Sequence, residues 1–150
     1  MSAFCVIAVT ALIAVLAYSS NRAASRRLLD IELRTTSASG ARVFWSADQK
    51  WNAEQSFTQV VRPSSESFQH LRFPLPPEGM PWIRLDVVNA DGDVWLKDAT
   101  LLDSRERSIG DVKADAFRAW GDSAVVSREG DAVRVRLSPG AHDASLVTTL

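Results

Sequence analysis

Trp82-Ile83-Arg84-Leu85-Asp86-Val87-Val88, then Asn89-Ala90-Asp91-Gly92-Asp93, then Val94-Trp95-Leu96-Lys97 is the stretch whose reading decides the fold. Two alternating apolar runs flank a short polar segment with an Asp-Gly pair, which tolerates the positive φ that hairpin turns need. The pattern predicts a strand, a tight turn and a second strand over residues 94–102, together forming the central hairpin of a β-sandwich. Period-2 alternation puts Ile83, Leu85 and Val87 on the core face and Arg84 and Asp86 on the opposite one.

Upstream, residues 29–34 alternate apolar and charged positions as a strand with one wet face does. Residues 41–45 predict a second strand, and residues 46–56 a polar loop holding Trp51. Residues 57–62 and 67–73 predict two more, each stopped by proline. Downstream, Phe117 and Trp120 are three apart with Gly121 following, so residues 111–120 predict one or two helical turns closed by glycine. Residues 124–127 and 132–137 predict a hairpin across Glu129-Gly130-Asp131, and residues 145–150 a last strand that reads as truncated. Short, evenly spaced strands with Pro, Gly and Asp punctuation indicate an all-β fold, an antiparallel sandwich or barrel. No helix long enough for a parallel crossover is predicted.

The N-terminus differs in kind. The first 18 residues carry no charged side chain, and residues 3–18 read AFCVIAVTALIAVLAY. A spanning helix needs about 20 apolar residues, within a range of about 17–25. Residues 1–20 are therefore expected to be a transmembrane anchor, residues 21–27 a linker and residues 28–150 the sandwich. A cleaved signal segment is the alternative, with Val15-Leu16-Ala17 near an acceptable site but no basic start. A buried core helix is disfavoured because the segment is apolar on every side. Arg22, Arg26 and Arg27 follow the segment, and by the positive-inside rule they favour a cytoplasmic domain.

Composition narrows the function. Seventeen Lys and Arg stand against 18 Asp and Glu, so no basic excess exists to grip a phosphate backbone, and nucleic acid is not an expected partner. The lone Cys5 excludes an intrachain disulfide, and neither His70 nor His142 belongs to a metal-ligand motif. There is no Gly-x-Ser-x-Gly elbow and no glycine-rich phosphate loop. Catalytic residues, metals and cofactors are accordingly all expected to be none. Asp91-Gly92-Asp93 resembles a fragment of a calcium loop but lacks the further oxygen ligands, so turn chemistry explains it.

Five tryptophans raise the possibility of sugar stacking. Trp45, Trp82 and Trp120 read as packing residues. Trp51, in a polar loop, and Trp95, on the outer face of its strand, are the stacking candidates, with Arg84 and Asp86 as hydrogen-bonding partners for hydroxyls. A cross-strand ion pair with Lys97, Asp98 or a neighbour is the structural alternative for Arg84 and Asp86.

Residues 31–102 resemble a jelly-roll, carbohydrate-binding-like extracytoplasmic module of bacterial polytopic membrane proteins of the glycosyltransferase type. The matching residues are Ile31-Glu32-Leu33, Val43-Phe44-Trp45, Phe73-Pro74-Leu75-Pro76, Ile83-Arg84-Leu85-Asp86 and Val94-Trp95-Leu96-Lys97-Asp98-Ala99. Two positions depart from that pattern: Val87 stands where a proline usually follows, and Ala144 replaces the proline of an Asp-Pro-x-Leu element. The resemblance implies a galactose-binding-like sandwich outside the cytoplasm, beside a transmembrane helix in a bacterial inner membrane. Its expected role is a non-catalytic accessory module of an envelope sugar-handling protein that binds glycan. A structural or protein-interaction domain of the envelope is the second expectation.

Overall fold

The computed structural model describes residues 27–37, 39–76, 79–88, 92–138, 141 and 143–150. The expected anchor and all of the expected linker except Arg27 lie outside them. Among the described residues no helix is long and apolar enough to cross a membrane.

The described chain is a β-sandwich of two antiparallel sheets. Its strands are β1 (Arg27–Thr35), β2 (Ser39–Ser46), β3 (Ser56–Val61), β4 (Gln69–Leu75), β5 (Trp82–Val88) and β6 (Val94–Leu102). They continue with β7 (Ser108–Val112), β8 (Arg118–Ala119), β9 (Ala124–Glu129), β10 (Ala132–Leu137) and β11 (Asp143–Thr149). The first sheet runs β4-β1-β6-β10-β9, with β7 also paired to β6; the second runs β3-β2-β5-β11-β8. Between them lie Leu29, Ile31, Leu33, Leu96 and Phe73 from one side and Val43, Ile83, Leu85, Val87 and Leu146 from the other, all essentially without solvent exposure. Each such side chain is worth about 1.5–3 kcal/mol of burial.

The decisive stretch forms two strands, as its alternation predicts, but they are not a hairpin. β5 pairs with β2 and β11 in the second sheet, whereas β6 pairs with β1 and β10 in the first. β5 therefore ends in one sheet and β6 begins in the other. Both sides of β5 are taken by β2 and β11, and those of β6 by β1 and by β10 with β7, so neither strand has a side left for the other. Among the described residues only β2–β3, β6–β7 and β9–β10 are sequential partners, and the last has Gly130 at φ +65° in its two-residue turn.

Three further expectations change. The strand predicted at residues 67–73 runs on through Pro74, which an edge strand permits because one side of its backbone has no ladder to complete. Residues 111–120 are not helical turns: β7 ends at Val112, a 3₁₀ turn covers Ala114–Ala116, and β8 follows at Arg118–Ala119. Phe117 leaves that turn to fill the core at 1% exposure. The sandwich also begins one residue early, at Arg27.

β6 contains a bulge. Leu33 faces Leu96 and Ile31 faces Ala99, so Lys97 and Asp98 together oppose Glu32. The extra residue lets Leu96 and Ala99 both face the core and keeps Asp98 out of it. On the side where β3 and β4 are both edges, side-chain amides close the gap. Gln59 Nε2 donates to Arg72 O, and Gln69 accepts from Arg62 N–H while donating to Arg62 O.

Candidate functional site

The outer face of the second sheet is built by alternation. On β2 the core takes Ala41, Val43 and Trp45, leaving Arg42, Phe44 and Ser46 outside. On β5 the core takes Ile83, Leu85 and Val87, leaving Trp82, Arg84 and Asp86 outside. Register aligns these into rows: Arg42, Asp86 and Ser145 across β2-β5-β11, then Phe44, Arg84, Val147 and Arg118 across β2-β5-β11-β8.

Arg84 and Asp86 pair with each other along one strand. Arg84 Nε donates to Asp86 Oδ1 at 2.7 Å and Nη2 to Oδ2 at 2.6 Å. This bidentate, charge-assisted geometry leaves Asp86 only 5% exposed although it points away from the core. Lys97 and Asp98, the alternative partners, lie on the other sheet and are paired elsewhere.

The β2–β3 loop folds over this face. Asp48 accepts the Lys50 N–H and Asn52 Oδ1 the Glu54 N–H, local turns that Asp and Asn make with their own backbone. Gln49 takes φ +63°. The chain thereby returns so that Trp45 N–H donates to Gln55 O. Trp51 is half-buried instead of exposed. Its ring meets Trp120 edge to face at 5.8 Å and 90°, and the Arg84 guanidinium lies 5.9 Å from its centroid. Phe44 lies under Arg42 at 4.6 Å and Arg84 at 5.1 Å. Trp51 Nε1 is buried without a partner among the described residues. Trp120 is 37% exposed, held by its N–H on Ser145 O at 2.8 Å. The face thus offers an aromatic surface and an oriented guanidinium–carboxylate pair, with the Trp51 indole N–H beneath it.

Trp51, Arg84 and Asp86 are brought together; Trp95 is not. It stands on the outer face of the first sheet in a row with Arg34 and Arg134 across β1-β6-β10. Arg34 lies 4.1 Å and Arg134 5.5 Å from its centroid, and Phe68 extends the stack, 5.1 Å from Arg34. Trp95 Nε1 donates to Glu129 at 3.1 Å. Its ring packs against the protein's own cations on that sheet. Trp120, Phe44 and Arg42 were not among the sequence candidates. Phe44 and Arg42 follow from alternation on β2 once its outer face is known, but Trp120 needs the β8–β11 pairing, which no local pattern shows.

A second concavity, about 310 Å³, opens where β6 leaves β10 and takes up β7. Asp98, Asp115 and Asp131 line it, as do Lys113 and Arg128. Lys113 reaches Asp98 at 2.7 Å, Lys97 reaches Asp131 at 3.0 Å and Arg128 reaches Asp115 at 3.6 Å. The Lys113 ammonium and the Ala114 N–H hold the Asp98 carboxyl below its ordinary range, and Lys97 does the same to Asp131. A glycosidase's general acid needs the opposite shift. Among the described residues no group of three or more His, Cys, Asp or Glu side chains is placed to hold a metal ion. Asp91 lies outside those residues, and Asp93 pairs with Arg134 and Arg136.

Compared with protein-family models, with curated proteins and with solved structures, the chain matches none.

Proposed function

We propose that the sandwich is a non-catalytic, membrane-anchored extracytoplasmic module, an accessory part of a bacterial envelope sugar-handling protein, and that it binds glycan on the outer face of its second sheet. The observation that carries the reading is the Trp51–Trp120 pair beside the bidentate Arg84–Asp86 couple. Apolar ring faces suit the C–H faces of a pyranose, while the Arg84 guanidinium beside them, held in place by Asp86, is the polar group for its hydroxyls. Repeated crossing of the chain between sheets supports the jelly-roll, galactose-binding-like form of this reading. The apolar residues 3–18 support the anchor.

The test is retention of the full chain on immobilised bacterial envelope polysaccharides. Trp120→Ala is expected to weaken retention about tenfold, equivalent to about 1.4 kcal/mol, and Trp51→Ala at least as much. Trp95→Ala, on the other sheet, should leave retention unchanged. No retention of the wild-type chain, or retention indifferent to Trp51 and Trp120, would remove the glycan reading.

One observation favours the second reading, a protein-interaction domain. Val60 is 80% exposed and Phe57 43% on edge strand β3, and Val125 is 60% exposed on edge strand β9. Such edges accept an added strand. Capture of a partner that a proline at position 125 abolishes would favour it over glycan binding.

A further inference from the structure

We propose that the sandwich stands on the bilayer with the end at which β1 begins, and that this end contacts anionic lipid headgroups. The proposal rests on the reading of residues 1–20 as a membrane anchor. Arg27 opens β1 opposite Leu75 of β4, and Leu28 lies opposite Leu102 of β6. β4 at Leu75 and β6 at Leu102 therefore finish at the end where β1 starts, and the 103–107 turn lies there. Leu150 joins them, its N–H donating to Pro81 O at 2.8 Å. Between these segments lies an open cavity of about 400 Å³ lined by Arg27, Gly79, Met80, Pro81, Leu101 and Leu150. Met80, Leu101 and Leu150 are partly buried, the two leucines against the edge of the core, and leave some apolar surface in this cavity. Apolar side chains beside cations match the boundary between headgroups and acyl chains.

The cations here are uncompensated. Arg27 donates Nε and Nη2 to Pro76 O at 3.2 and 3.1 Å and makes no ion pair among the described residues. Arg105, in the 103–107 turn, is engaged through its backbone N–H, on Asp103, and its side chain makes no ion pair among the described residues. Asp103 is neutralised by Arg107, and Glu106 by Arg72. Among the described residues this end therefore presents Arg27 and Arg105 without an acidic partner. Chain length adds a geometric reason. Eight residues, 19–26, separate the apolar segment from β1 and span at most about 29 Å when fully extended. A tether that short keeps this end at high local concentration against the bilayer, so weak contacts are enough to seat it.

The test uses the full chain carrying Cys5→Ala, reconstituted into phosphatidylcholine–phosphatidylglycerol vesicles. Single cysteines carry an environment-sensitive dye: Met80→Cys and Ser104→Cys at this end, and Ser65→Cys, near the far end of β1. Two labels at the contacting end keep the test usable should one variant misfold. Lipids bearing a headgroup spin label are expected to quench positions 80 and 104 at least about twofold more than position 65, and Arg105→Glu should reduce that difference. Flotation of the same sample reports the anchor separately. A chain that floats yet shows equal quenching at both ends overturns the end-on contact and leaves the anchor standing. A chain that stays in the soluble fraction overturns both.

Discussion

Asp86 is the single charged residue classed as buried among the described residues, and its stability depends on one neighbour. Both of its oxygens accept from Arg84, whose side chain is itself only 21% exposed. Removing the carboxylate charge leaves a guanidinium partly desolvated against Phe44 and Trp51. Asp86→Asn is therefore expected to lower unfolding stability by about 2 kcal/mol, in the range of hydrogen bonds to charged groups. The pair Asp103–Arg107, whose guanidinium is largely exposed, provides the contrast: Asp103→Asn keeps an acceptor for the Arg105 and Arg107 N–H groups and should cost clearly less than Asp86→Asn. Urea titrations of the two variants decide it, and equal losses would sink the argument. Alternation showed in the sequence that Arg84 and Asp86 share an outer face. It did not show that they pair with each other, because the expected partners were taken from a hairpin that does not form.

At the level of elements, the β5–β6 connection has the greatest consequence. It crosses between sheets against the β1–β2 connection, where Thr36 N–H donates to Asp93 O at 3.3 Å. A Cβ at Gly92 would run into Thr36 Oγ1. The glycine is thus kept for a close approach of two crossing loops, not for the hairpin geometry its Asp-Gly setting suggests. Gly92→Ala is expected to destabilise by about 1 kcal/mol, and adding Thr36→Ala should restore most of that loss, a coupling characteristic of residues in contact. Additive losses in the double-mutant cycle would count against the contact. The β6 bulge makes a similar point. Strict alternation from Val94 would turn Asp98 inward and Ala99 outward; the extra residue reverses both, and Asp98 instead caps the Ala114 N–H at 2.8 Å.

For the whole molecule, the described ion pairs lie outside an apolar core, and their titration sets the pH limits of stability. Asp98, Asp131 and Asp93 have folded-state values held below 3.8 by Lys113, Lys97 and Arg134 respectively, and Arg107 lowers Asp103 to about 2. Their contribution is present above the unfolded value and disappears as pH falls through the lowered folded values. Lys113 and Lys97 are raised above 10.5 by Asp98 and Asp131, so their share is complete below 10.5 and lost as pH rises beyond it. The melting temperature is expected to stay level between about pH 5 and 10 and to fall at both ends. A thermal-melt series across pH checks this, and a principal decline centred near neutrality would contradict it.

Local sequence determined the strands because period-2 alternation is a property of neighbouring residues: β1, β2, β3, β5, β10 and β11 lie where it predicts them, and the β9–β10 turn follows from Gly130. It also determined which side chains of β5 face the core. Tertiary structure decided the rest. Whether a turn returns a strand to its own sheet or sends it to the other depends on which partner completes its backbone hydrogen bonds, and those partners are distant in sequence: β2 and β11 for β5, β1 and β10 for β6. The same pairing separates Trp95 from Trp51 and brings Trp120 beside Trp51. Alternation tells a side chain which face it occupies; only strand order tells it which neighbours share that face.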